Sequence, residues 1–245
     1  MTQYSLKNKK YLMISIALIL VLWQVIAIII DNRLLLPSFF DVLIQLINII
    51  KAGTFINLIG SSIIRCLQSF IICILVASIL AVASYFNKFI YNFLYPVMAF
   101  IKAVPIMAFI VLILIWTSKD IAPVIIGILI SLPIYFDVVL NSLLNIDKDL
   151  LRMCKVYKVS KLDKIKSIVI PIILIELGKV ISSSLSLIFK VVISGEVYGQ
   201  PDYGIGSIIQ LEKMQLNTSN VIAWMIVVTF IVYGFDFIIE RIIIS

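Results

Sequence analysis

The sequence contains no histidine, only three cysteines in 245 residues, and few charges, with Asp, Glu, Lys and Arg filling 13% of positions. Each scarcity removes a class of function. Without histidine the chain lacks the commonest zinc ligand and the usual general base near neutral pH. No nucleophile stands beside a base, so an intramembrane enzyme ranks last among the readings. Cys66, Cys73 and Cys154 have neither metal-ligand spacing nor the makings of a disulfide framework, and read as small buried hydrophobes. No G-x-x-x-x-G-K-[ST] phosphate loop occurs: Gly178-Lys179 is followed by Val180 inside an apolar run. ATP hydrolysis, if it drives this protein, belongs to another chain. The shortage of polar residues leaves no segment with the make-up of a soluble domain.

What is abundant is hydrocarbon: 62% of residues are hydrophobic and the mean hydropathy is +1.17. Apolar runs predict an all-α polytopic membrane protein with about six spans, over 11–30, 58–84, 89–117, 121–140, 167–193 and 221–240. The first run, some 30 Å long as a helix, exceeds a signal-peptide core, so 1–33 reads as a basic tail with a retained first span. Residues 34–245 form the core. Within it, 37–50 is amphipathic but too short to span and reads as an interfacial helix opened by Leu36-Pro37-Ser38. Residues 194–220 read as an outer loop, its Gly195, Gly199, Gly204 and Gly206 permitting tight turns, that gates the pathway externally or touches another protein.

The net charge of +7 would suggest nucleic acid in a soluble chain; here the cations sit beside spans and set orientation. With the N-terminus inside, twelve lie on the inner side: Lys7, Lys9, Lys10, Lys88, Arg241, and the run Lys148, Arg152, Lys155, Lys158, Lys161, Lys164 and Lys166. Only Arg33, Lys51, Lys119 and Lys213 lie outside. Both termini are therefore expected in the cytoplasm of a cell with this chain in its cytoplasmic membrane.

The basic loop, 147–166, has a pattern of its own. From an N-cap at Asp147, Lys148, Arg152 and Lys155 gather on one side of a helix, and Leu150, Met153, Cys154 and Tyr157 on the other. Ser160 to Asp163 has the form of a capping box that starts a second helix after a kink near Val159. Such a helix either lies on anionic lipid headgroups or inserts its apolar face into a groove on a cytoplasmic partner.

This loop resembles the EAA motif of ABC importer permeases, Glu-Ala-Ala followed after three residues by Gly and then by Ile-x-Leu-Pro. Arg152-Met153-Cys154 stands at Glu-Ala-Ala, Lys158 at Gly, and Ile168-Val169-Ile170-Pro171 at Ile-x-Leu-Pro. Further stretches resemble the nitrate, sulfonate and taurine branch in order: Leu35-Leu36-Pro37-Ser38, Ser61-Ser62-Ile63-Ile64-Arg65 with Ser69-Phe70, Tyr95-Pro96, Phe100 to Pro105 with Lys102 where that branch has arginine, and Gly204-Ile205-Gly206 after Glu196. The resemblance implies a type I permease that is not itself an enzyme and carries no cofactor, ATP being bound by partner ATPase subunits. It implies a second copy of the permease and an extracytoplasmic solute-binding protein. Leu150, Arg152, Met153, Cys154, Tyr157 and Lys158 would then couple the spans to the ATPase.

Charges within spans each need a reason, at roughly 2.5–3.5 kcal/mol apiece on insertion scales. Lys102 calls for a cavity or a carboxylate, as a substrate-path residue or a structural ion pair. Glu176 and Lys179 are placed to neutralise each other. Arg65 and Lys190 are expected to snorkel to the outer interface. Arg65, Lys102 and Glu196 are the candidates for the substrate path, and the cations suit a small organic anion such as a sulfonate, with a thiamine-precursor-like solute as the other choice. A secondary transporter or channel working alone is the competing reading; it calls for inverted repeats and midplane carboxylates, whereas Asp137, Glu176 and Asp236 lie toward inner span ends.

Overall fold

The computed structural model describes residues 9–244. Lys7 of the basic tail falls outside them, as do the side chains of Lys9, Lys10, Lys148, Lys155 and Lys161. Eleven α-helices follow one another among the described residues: α1 (Lys9–Ile30), α2 (Phe39–Lys51), α3 (Phe55–Phe86), α4 (Lys88–Ala103), α5 (Ile106–Trp116), α6 (Ala122–Leu144), α7 (Lys148–Val156), α8 (Lys161–Lys164), α9 (Ile170–Gly199), α10 (Ile205–Met214) and α11 (Thr218–Ile244). A π-helical turn, Ile165–Val169, joins α8 to α9 without a break. Five of these stretches are long and apolar enough to cross a membrane, and the bent pair α4–α5 makes a sixth span when counted as one. The all-α, multi-pass class read from the apolar runs therefore holds.

Three expectations change. The third span, expected as one helix over 89–117, is two helices meeting at 104°. Proline restricts the residue before it to extended backbone, and Val104 has ψ 134 where a helix needs about −42. Pro105 has ψ 134 as well, so two successive extended residues turn the chain. Pro96, by contrast, sits inside α4 without ending it. The fifth span does not stop at residue 193; α9 runs to Gly199 and ends where Gln200 adopts a left-handed φ of 49°. What was expected as a long outer loop over 194–220 is thus the end of α9, a short connection and α10. Its glycines make no left-handed turn, since among the described residues every positive φ belongs to another residue type. Two of them instead allow close approach: a methyl on Gly195 would lie 2.9 Å from Pro123 Cα, and one on Gly206 only 2.4 Å from the Ile193 carbonyl oxygen.

The chain divides into two compact units. One holds residues up to 56 together with 208–230. There α1 exposes large apolar side chains over most of its surface, among them Leu12, Ile16, Ile19, Val21 and Ile29, as a lipid-facing helix must, while the face of Trp23, Gln24 and Ala27 is covered. Its Trp23 donates to the Pro37 carbonyl (3.1 Å), and Gln24 accepts from the Phe39 amide (3.1 Å). Helix α2 begins at Phe39 rather than Pro37 because Ser38 is its N-cap, accepting from the Asp41 amide at 3.1 Å.

The other unit holds 57–207 with the end of α11. Its core is α6 packed along α9, with Phe109, Ile110, Ile113, Ala122, Ile126 and Val191 forming one buried cluster. Small residues let the helices close: a methyl on Gly127 would lie 2.7 Å from Ser69 Oγ. Polar groups in this apolar interior are matched in pairs, Tyr135 with Ser184 at 2.5 Å and Ser131 donating to Cys73 Sγ at 3.2 Å.

Candidate functional site

Lys102 is the penultimate residue of α4, immediately before the break. Across from it, four residues after Pro133 in α6, stands Asp137, and the lysine donates to its carboxylate in an ion pair. Tyr95, Met98, Ala99 and Lys102 recur at helical spacing on one face of α4, and with Ala103 and Asp137 they line a cavity of 340 Å³. That volume falls in the range of small-molecule sites. The ion pair is not sealed: the side chains are 45% and 43% exposed. Lys102 thus meets both a carboxylate and a cavity. Asp137, which the sequence reading set aside as an inner-end carboxylate, is its partner.

Glu196 lies at the start of the last turn of α9, not in a loop, and is fully buried. Ser62 Oγ of α3 lies 2.9 and 2.8 Å from its two carboxylate oxygens, and Arg65 Nη1 donates to Oε1 at 2.8 Å. The Gly206 amide donates to Oε2 at 3.0 Å. Arg65 also donates to the Tyr203 carbonyl at 2.6 Å and reaches Asp120 at 3.4 Å. Its side chain is only 12% exposed, which overturns the snorkelling expectation. The Ile205 amide in turn donates to Ser62 Oγ at 2.9 Å. So Arg65 and Glu196 form one network that ties α3, the end of α9 and the start of α10, while Lys102 belongs to a different place. Beside it, in the connections after α5 and α9, Lys119 donates to Asp202, which holds its ammonium above the ordinary lysine range.

The sequence signal for this network was present but misread. Gly204 and Gly206 are spaced to make room for a carboxylate: methyl groups there would lie 2.8 Å from the Glu196 carboxyl carbon and 2.6 Å from its Cβ. Lys190 is exposed, and the Glu176–Lys179 pair forms at 2.5 Å. Among the described residues no three His, Cys, Asp or Glu side chains gather as metal ligands.

The third region is α7 and the turn after it. Asp147 Oδ1 accepts from the Asp149 amide at 2.8 Å, and Arg152 pairs with Asp149 at 2.7 Å. The helix ends in a Schellman arrangement: the Val159 amide reaches back to the Cys154 carbonyl (2.9 Å) and Lys158 is left-handed at φ 51°. Ser160 then accepts from the Asp163 amide (3.1 Å) and donates to its carboxylate (2.6 Å), starting α8. Leu150, Met153 and Tyr157 are exposed, and Cys154 is half-buried. Left-handed backbone costs a side-chain-bearing residue about 1 kcal/mol that glycine does not suffer. Lys158→Gly is accordingly expected to leave the chain as stable or up to about 1 kcal/mol more stable, whereas Lys158→Val lowers its thermal transition in detergent.

These three regions lie on a chain whose residues 73–243 match the sequence model of a family described as the binding-protein-dependent transport system inner membrane component. The chain belongs to that family. The match runs from the middle of α3 into α11, taking in Lys102, Asp137, α7 and Glu196. The protein is therefore a membrane permease component of a binding-protein-dependent transport system, and transport rather than catalysis is its work. No curated protein matches the chain.

Proposed function

We propose that the chain is the pathway-forming subunit of an ATP-driven importer, acting as a homodimer with two cytoplasmic ATPases and an external solute-binding protein. The observation that carries this reading is α7, a cationic helix that, with the residue after it, presents Leu150, Met153 and Tyr157 outward with no core of its own to bury them. An amphipathic helix of this kind seats in a groove on a partner, and family membership makes an ATPase the partner of choice. The excess of Lys and Arg beside it supports a cytoplasmic position for it and for both termini, at the cytoplasmic membrane.

The coupling path is short. From α8 through the π-helical turn, α9 is continuous over 38 residues, Leu162–Gly199, a rod of about 57 Å. Closure of the ATPases on α7 would move the near end of this rod, and its far end carries Glu196. In this scheme Arg65 and Glu196 hold the outer gate, and Lys102 lines the path. The solute is a small organic anion, a sulfonate of the nitrate, sulfonate and taurine branch or a thiamine-precursor-like molecule, and it competes with Asp137 for the Lys102 ammonium. Lys102→Met is expected to cut uptake at least tenfold, and Lys102→Met/Asp137→Asn to restore assembly with the ATPase but not uptake. Equal uptake by wild type and the double variant would remove Lys102 from the path.

The reading as a whole is tested in sealed vesicles holding the chain and the ATPase encoded beside it, where ATP is expected to stimulate binding-protein-dependent uptake. Uptake without ATP would point to a transporter that works alone. Orientation is tested by a single cysteine at Val156 in a background lacking Cys66, Cys73 and Cys154. Impermeant thiol reagents should label it in inverted vesicles and not on intact cells.

A further inference from the structure

Helices α3 and α9 touch through Ser62 and Glu196 and again where Cys66 Sγ lies 3.9 Å from the Leu185 carbonyl. Further along the same two helices they leave a groove of 440 Å³. Its walls are Ile79, Val82 and Ala83 of α3 and Ile170, Ile173 and Leu174 of α9, apolar side chains apart from one serine, Ser78. Just beyond one end of this groove, outside its lining, both helices lead to cations. Lys166 precedes Ile170 by one turn in the continuous helix, on the stripe that runs on to Ile173 and Leu174, and it is exposed. Lys88, also exposed, follows the end of α3 by two residues. Neither takes part in a salt bridge among the described residues. The nearest carboxylates along α8 and α9, Asp163 and Glu176, are already engaged by Ser160 and Lys179.

We propose that this groove is a binding site for one anionic phospholipid, with an acyl chain along α3 and α9 and its phosphate held by Lys166 and Lys88. The apolar channel matches a hydrocarbon chain and excludes a polar solute, which would lose its hydrogen bonds there. The lysine end matches a phosphate carrying net negative charge, and basic pockets between spans bind such headgroups. A zwitterionic lipid offers the same chain but brings its own cation to the lysines. A second copy of this chain fits less well, because a two-fold contact sets this patch against itself and the charges at its end are all positive.

The site lies at the π-helical turn, so its occupant would brace the start of α9. The proposal does not depend on what the protein transports, nor on ATP. Its test uses Ile79→Trp at the groove's exposed rim, in full-length chain with Trp23, Trp116 and Trp224 replaced by Phe, in bilayers of phosphatidylcholine with a brominated guest lipid. Brominated phosphatidylglycerol is expected to quench the indole with at least threefold higher relative affinity than brominated phosphatidylcholine. Lys88→Gln/Lys166→Gln should bring the ratio to about one. Equal quenching by both guests in the parent, or an unchanged ratio in the lysine variant, would overturn the proposal. So would efficient disulfide linkage of two chains through Ile79→Cys, which makes a second copy the occupant. Native mass spectrometry of the unlabelled wild type gives an independent reading: retained phosphatidylglycerol supports the site, and indifferent retention of both lipids opposes it.

Discussion

Glu196→Ala is expected to destabilise the folded chain by about 3–5 kcal/mol, the penalty for stripping a buried ion pair of one partner. Two to four orders of magnitude in the folding equilibrium follow. The loss has three parts in the geometry. Arg65, 12% exposed, keeps its charge without the carboxylate; the Gly206 amide loses its acceptor; and Ser62 Oγ loses the carboxylate on which it converges. The measurement is the yield and thermal transition of the purified protein in detergent. Two controls separate charge from space. Arg65→Met/Glu196→Gln removes both charges while keeping the volume and is expected to recover much of the loss, since neutral replacements of buried pairs are tolerated. Gly206→Ala leaves every charge in place but puts a methyl 2.4 Å from the Ile193 oxygen, so it should fail as badly as Glu196→Ala. A wild-type transition in Glu196→Ala would mean that the network is ornamental.

Tyr157→Asp addresses the turn after α7, which leads into the opposite end of the α8–α9 rod. The side chain is 75% exposed, so an aspartate there costs the fold little. If the apolar face of α7 seats in an ATPase, burying a carboxylate in its place removes 2 kcal/mol or more of binding, about 30-fold in affinity. The expected result is a permease that accumulates normally, no longer co-purifies with the ATPase and loses ATP-stimulated uptake. Tyr157→Phe should behave as wild type. Loss of uptake with unchanged co-purification would indicate that Tyr157 transmits movement rather than supplying contact area.

Spans were readable because a helix in lipid must satisfy its backbone internally and cover itself with hydrocarbon, and that demand is written in runs of residues. Partners across the fold were not. Nothing local marks Asp137 as the residue that meets Lys102, because the pairing depends on how α4 and α6 sit, 35 positions apart in sequence. Pro96 and Pro105 both stand in the stretch expected as the third span, yet only Pro105 marks a turn of the chain. The setting of Glu196, a candidate from the sequence, was hidden by a correct rule applied to the wrong situation. Glycines at 195, 199, 204 and 206 suggested turns, but Gly195 and Gly206 are there so that backbone and carboxylate can approach. The capping pair Ser160 and Asp163 was legible, being decided by neighbours three residues apart.

The wider turn at Ile165–Val169 amounts to one surplus residue in an otherwise regular helix. Each residue of an α-helix advances about 100° around its axis, so that surplus sets the heading of everything on its near side. Removing Ser167 would let the rod wind evenly from Lys161 to Gly199, with every hydrogen bond intact. The cationic arm would then swing by more than a quarter circle and present its aromatic side in another direction. A transporter so shortened would be sound in itself and pointed the wrong way.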